Sequence, residues 1–318
     1  MTHTALGEGR EFDRIRAIVA ALGSDAAQLG DDCAVITGGD GTLVLSTDTS
    51  VDGIHFRREW LAFPEIGWRA AAAALSDLAA AGAECIGLLA AVTAPRESRE
   101  DELVSLMRGV GDAVRAAGGR VLGGNLTAGP GWSVTITVVG RAARPISRGG
   151  ARTGDALWVT GQLGGARSAL MAWNGGDVPP DTIRHAFAHP APRLAAGRWL
   201  AAHGASAMLD VSDGLAADAT HLAAASGLRA EIDVSRVPTA PGMVVAPGEH
   251  PKVFAARGGE DYELLAAMPP EFGDADAADF ARTLSLPLTR VGRLAAGRGV
   301  ALLLDGTEVF APGHDHFA

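Results

Sequence analysis

The chain contains a single lysine, Lys252, in 318 residues, and that scarcity narrows its chemistry at once. A phosphate-cradling Gly-x-x-x-x-Gly-Lys-Ser/Thr loop is missing, and Lys252 is not placed to supply one. No Gly-x-Gly-x-x-Gly follows a strand-like segment, which weakens a dinucleotide-binding reading. Gly-x-Ser-x-Gly is absent too, and the nine histidines form no His-Glu-x-x-His. Cys33 and Cys85, the only cysteines, make neither a disulfide framework nor a zinc site, and a reducing cytoplasm is the expected setting. The most apolar helical stretch, residues 70–83, is too short to span a bilayer and is broken by Ser76 and Asp77. Residues 1–10 are polar, with no apolar core of a signal peptide. A net charge of −10 argues against non-specific nucleic-acid binding, which needs clustered cations. Alanine and glycine are abundant and arginine replaces lysine, which reads as coding bias more than mechanism.

What the chain does have is carboxylates in tight groups. Asp31 and Asp32 sit in Gly-Asp-Asp-Cys-Ala, Asp48 in Ser46-Thr47-Asp48, and Asp77 in Leu-Ser-Asp. Asp210 and Asp213 share Asp-Val-Ser-Asp-Gly, and Glu260 and Asp261 share Gly-Gly-Glu-Asp-Tyr. Hard divalent cations take oxygen ligands, and Mg²⁺ characteristically combines one or two carboxylates with water and substrate phosphates. The pattern therefore points to a site in which metal ions supply the positive charge.

Each group also has a plain structural explanation. Gly-Asp-Asp before a strand is usually a turn, because Asp bonds its own backbone. Ser212 or Asp213 suffices as a helix cap, although a strand end meeting a helix N-terminus is also where phosphates bind. His55, between apolar neighbours, fits a phosphate contact and a structural histidine equally well. Asp77 is the anomaly: a charge inside an alanine-rich helix is costly unless it is paired or bound to metal.

The pattern predicts an amphipathic helix over 11–22, a strand–turn–strand over 33–46, and a helix over 64–83. Strands follow at 86–93, 120–124 and 133–141, with a helix over 100–117. A Gly- and Arg-rich shift near 145–155 sets the expected boundary between an N-terminal domain, 1–145, and a C-terminal domain, 146–318. In the second half, strands are expected at 156–160, 206–209, 262–268, 288–293, 300–304 and 307–310, and helices at 163–173, 181–188, 192–203 and 215–226.

In order, these segments resemble the thiamine-monophosphate kinase family, part of an ATP-binding superfamily that includes aminoimidazole ribonucleotide synthetase. The resemblance rests on Gly30 to Ala34, Ser46 to Phe56, Leu75 to Ala79, Arg148 with Gly154-Asp155, Asp210 to Leu215, Gly258 to Tyr262, and Gly313 to Phe317. It implies an α/β (α+β) fold of two domains, with the N-terminal mixed sheet forming a barrel in a homodimer. It also implies transfer of the γ-phosphoryl of ATP to thiamine phosphate with several Mg²⁺ ions, and no membrane or nucleic-acid partner. By motif match, Asp32, Ser46, Thr47, Asp48, Asp77, Asn125, Asp210 and Asp213 would hold metal. Gly124 and Asn125 (read as a turn), Arg148 and Ser212 would contact ATP, while His55, Glu260 and His314 would contact thiamine phosphate. Three positions depart from the family's pattern: Asn125 stands for Asp, Ala128 for Arg, and His314 for an aromatic Trp or Tyr. Another ATP-dependent enzyme of the superfamily, or a non-catalytic binder of nucleotide or thiamine phosphate, remains open at this point.

Overall fold

The computed structural model describes residues 10–22, 31–38 and 41–309. Its elements fall into two mixed α/β halves, each built on one sheet. The N-terminal half holds α1 (Arg10–Leu22), β1 (Ala34–Gly38), β2 (Gly41–Val51), α2 (Phe63–Ala80), β3 (Glu84–Ala94), α3 (Glu100–Ala116), β4 (Val121–Ala128) and β5 (Ser133–Ala142). Its sheet runs β1-β2-β5-β3-β4 and is antiparallel except where α3 carries the chain from β3 to parallel β4. Such a crossover is what two parallel neighbours require.

The C-terminal half holds β6 (Ala156–Thr160), α4 (Gly165–Asn174), α5 (Asp181–Ala188), α6 (Leu194–Ala202), β7 (Ala207–Val211), α7 (Leu215–Ser226), β8 (Arg229–Asp233), α8 (Pro251–Ala256), β9 (Glu263–Met268), α9 (Asp274–Leu284), β10 (Leu288–Ala295), β11 (Gly299–Leu304) and β12 (Thr307–Glu308). Its sheet order is β12-β11-β8-β10-β6-β9-β7. Strands β6, β7 and β9 are buried at every residue, so apart from Thr160, Asp210 and Glu263 they read as apolar runs, not alternation.

Helix α2 is the centre of the molecule. It packs on the N-terminal sheet, on α3 and on α6 from the other half. Residues Ala70 to Leu75 lie at 5% exposure or less. A Cβ at Gly67 would come within 1.9 Å of the Leu106 carbonyl oxygen, and one at Gly197 within 1.9 Å of the Ala79 carbonyl oxygen. Backbones this close admit only small side chains, so alanine and glycine here are a packing requirement. The coding-bias reading fails for this helix.

Two other expectations change. Gly124 and Asn125 are not a turn. They lie inside β4, paired in register with Ala90 and Ala91. The pattern also left β8, α8 and α9 unmarked. β8 is short and alternates charged and apolar residues, α8 has only six residues, and α9 buries only Ala277 and Phe280. No helix among the described residues is long and apolar enough to cross a membrane.

Candidate active site

The acidic groups converge where the last turn of α2 meets the start of β1, the middle of β2 and the end of β7. One carboxylate oxygen from each of Asp32, Asp77 and Asp210 falls within 4.8 Å of the others. Asp32 comes from the turn before β1, Asp77 from the last turn of α2 and Asp210 from the end of β7, so both halves contribute. Asp77 is half-buried: its Oδ2 accepts the Ser46 hydroxyl at 2.5 Å, and its carbonyl accepts the Cys33 thiol at 3.4 Å. The Arg148 guanidinium donates to Asp32, and the Arg148 main-chain N–H donates to Asp31 Oδ1 at 3.1 Å. Asp31 also accepts the Asp32 N–H at 2.9 Å, so it does the turn-making expected of Asp in a loop.

Crowded carboxylates resist ionisation. Burial, then Asp210 and Asp32, push the Asp77 carboxyl well above the usual carboxylate range. Burial and Asp32 push Asp210 up to about 7. A divalent cation would relieve both effects by replacing repulsion with attraction. The donors are hard oxygens, the chemistry Mg²⁺ prefers, so the residues present fit such an ion.

A second region lies alongside. Burial raises the Asp48 carboxyl, with Glu260 adding to the shift and His55 and Arg69 opposing it, so these four groups share one field. His55 Nδ1 accepts the Val51 N–H at 3.1 Å, which places the ring proton on Nε2. Glu260 accepts from the Arg69 guanidinium and from the Tyr262 hydroxyl, each at 2.5 Å. The loop carrying it is held in an unusual shape: Glu260 and Tyr262 have φ of 70° and 51°. Left-handed backbone costs a non-glycine residue about 1–2 kcal/mol. Bonds from the Glu260 N–H to the Ser212 carbonyl (2.7 Å) and from the Tyr262 N–H to the Val211 carbonyl (2.9 Å) hold it there. This loop is thereby stitched to the Asp210–Asp213 turn. Asp261 turns away to accept the Gly164 N–H at 2.8 Å, next to the start of α4.

Other expected residues sit elsewhere. Thr47 points to the face of β2 opposite Ser46, with its hydroxyl on Thr137 at 3.1 Å. Asn125 lies on β4, three strand spacings from β2, or about 14 Å across the sheet. Pairing aligns Asn125 with Ala91, Thr135 and Thr49, placing it on the same open face as Thr47. Asp213 groups with Asp218 and His221, their ligand atoms within 4.8 Å of one another. His314 lies outside the described residues.

Comparison with known proteins identifies the family. A family model described as AIR synthase related protein, N-terminal domain, matches residues 30–142, and its C-terminal counterpart matches residues 152–305. A thiamine-monophosphate kinase of Halobacterium salinarum is 36% identical over 95% of this chain and 99% of its own length. The chain belongs to the thiamine-monophosphate kinase family. The Salmonella typhimurium member is 35% identical over 97% of this chain and 96% of its own. Among solved structures, AaThiL complexed with AMPPCP and TMP superposes with a TM-score of 0.86, at 30% identity over 97% of each chain. The family fold accounts for the two mixed-sheet halves.

Sequence reasoning passed over Arg69, Asp218 and His221. Arg69 precedes Asp77 by eight residues on α2, a little over two turns, which sets both on roughly one side of the helix. That spacing, with a buried arginine beside an alanine run, was the available signal. Asp218 accepts the main-chain N–H of Asp213 (3.2 Å) and of Gly214 (3.0 Å), so it shapes the turn before α7.

Proposed function

We propose that this protein is a Mg²⁺-dependent kinase that transfers the γ-phosphoryl of ATP to thiamine phosphate, giving thiamine diphosphate and ADP. The observation that carries the reading is the convergence of Asp32, Asp77 and Asp210 from both halves. Family membership supports the choice of substrates, as does the bound pair AMPPCP and TMP in AaThiL.

Both reactants carry phosphate, and their mutual repulsion is the main obstacle. Phosphoryl transfer asks the protein chiefly for positioning and charge neutralisation. Asp32, Ser46, Asp48, Asp77, Asp210 and Asp213 would hold the metal ions; Thr47 and Asn125 face the other side of the sheet and would take no part in that cluster. Bound Mg²⁺ supplies charge neutralisation and a template for both phosphates. Arg148, Ser212, Gly124 and Asn125 would contact ATP. Arg148 also ties the 31–33 turn to the second half through Asp32. His55, with its proton on Nε2, donates to the acceptor phosphate, while Glu260 and His314 contact the organic part. The acceptor oxygen is already anionic, so no covalent nucleophile is needed. It forms a bond to the γ-phosphorus as the bond to the β,γ-bridging oxygen breaks, in line, and ADP leaves.

The reading extends to assembly. Every residue of β4 is exposed, including Leu126 at 61%, and Leu89 on the open face is 42% exposed. A bare apolar sheet edge invites pairing. A homodimer whose two N-terminal sheets form a barrel would cover it, with the domain division near residues 145–146. The two free thiols, Cys33 and Cys85, suit a cytoplasmic enzyme.

Purified full-length chain with ATP, Mg²⁺ and thiamine phosphate is expected to form thiamine diphosphate, scored by chromatography. ATP binding without product would identify a non-catalytic binder. ADP release only with another acceptor would identify a different enzyme of the superfamily.

A further inference from the structure

We propose that Arg69 and Tyr262 are positioning residues that aim one oxygen of Glu260 at the organic part of the acceptor substrate. This rests on the kinase reading for the identity of that substrate; the geometry comes from the structure. Arg69 is 4% exposed, and a buried guanidinium is tolerated only when its donors are satisfied. One arm donates to the Phe187 carbonyl at 2.6 Å and the other to Glu260 Oε2. Its Cζ lies 3.7 Å from the Phe187 ring centroid and 5.8 Å from that of Tyr262. Arg69 is thus held by both partners of the second half and has little freedom of its own.

The Tyr262 hydroxyl donates to the same Oε2. Burial pushes this phenol well above its ordinary range, so it keeps its proton and remains a donor. Two donors therefore meet on one oxygen. Among the described residues Oε1 receives none, and the Glu260 side chain is 25% exposed. Oε1 is the oxygen left for a ligand.

A carboxylate oxygen accepts hydrogen bonds and attracts positive charge; it repels phosphate. The part of the substrate it meets is an N–H donor or a cation, and thiamine carries both, in its aminopyrimidine and its thiazolium. Along α2, Arg69 and Asp77 stand about 12 Å apart. One helix would then set the distance between the end that reads the organic moiety and the end that handles phosphate.

The test uses the full-length chain. Tyr262→Phe removes one hydroxyl and is expected to raise the KM for thiamine phosphate about fivefold, the net scale of one ordinary hydrogen bond, with KM for ATP unchanged. Arg69→Lys keeps the charge but loses the two-armed grip and is expected to raise it further. If both act through Glu260, adding either change to Glu260→Gln leaves its KM for thiamine phosphate within about twofold. Tyr262 is the only tyrosine, so a ¹³C-tyrosine label gives a single ring signal set, expected to shift with thiamine phosphate and not with ATP. A Tyr262→Phe enzyme with wild-type KM for thiamine phosphate, or with both KM values raised together, overturns the proposal and leaves the kinase reading standing. A wild-type chain that does not phosphorylate thiamine phosphate removes both.

Discussion

Two neighbouring acidic groups differ in how they are built. Asp213, Asp218 and His221 lie within nine residues of one turn and helix, and Asp218 is served by two main-chain N–H groups. Helix geometry and capping are enough to bring them together. Asp32, Asp77 and Asp210 come from three segments spread over 179 residues, and folding gathers them against their own repulsion. A local cluster can be a by-product of a turn. A long-range one has no shared turn or helix period to bring its members together, which is why function is assigned chiefly to the second kind. The count of carboxylates does not separate the two; the source of their hydrogen-bond donors does.

The strongest way to break this contrast is to neutralise the long-range group. Asp77→Asn and Asp210→Asn keep the volume and remove the charge. Turnover is expected to fall at least a hundredfold, the scale seen when one preorganised electrostatic contact is lost at a reacting phosphate or oxyanion. Without Mg²⁺, the same variants should melt at or above the wild-type temperature, since a repulsive buried charge has gone. Wild-type turnover in either variant would take that residue out of the site.

Much of this site was legible in the sequence because its carboxylates sit where burial disfavours charge. A lone Asp77 in an alanine helix breaks a rule of burial, and such breaks mark function. Asp210-Val-Ser-Asp and Gly-Gly-Glu-Asp-Tyr could be located on turns because strand and glycine patterns bracket them. The misreadings have equally physical causes. Gly123-Gly124-Asn125 has turn chemistry, but pairing with β3 overrides it and makes β4 a glycine-rich edge strand. The tight packing of α2 on α3 and α6 is invisible until the partners are known, so its alanines passed for compositional bias. Arg69 went unmarked because its partner, Glu260, lies 191 residues away.

A smaller effect sharpens the comparison through pH. The Asp210 carboxyl, at about 7 when folded against an ordinary value of 3.8, binds a proton more tightly in the folded state. Its contribution is therefore fully present below about pH 4 and is lost as pH rises through about 7. In chelator, the melting temperature is expected to fall over that window. Mg²⁺ added at pH 8 should restore it, by about 2.7 kcal/mol at a hundred times its dissociation constant, and should do much less at pH 4. Thermal scans with and without Mg²⁺ across the range check both signs. A flat profile would mean that the three carboxylates carry no shared strain.

The smallest expected effect belongs to the local group. Asp218→Ala removes the acceptor for the Asp213 and Gly214 N–H groups, a capping loss of about 1 kcal/mol. It also deletes a carboxyl that burial and Asp213 hold well above its usual range, which offsets part of that loss. Asp218→Asn keeps one acceptor oxygen without the charge, so it should be the more stable of the two variants. Denaturant titration gives the order directly. Turnover per folded molecule should change less than about tenfold in both, because the turn that carries Asp213 is also held by the Glu260 N–H bond to the Ser212 carbonyl. If Asp218→Asn instead silences the enzyme as fully as Asp77→Asn does, while remaining folded, the local group is catalytic as well, and a cluster assembled by helix periodicity can no longer be dismissed on its construction.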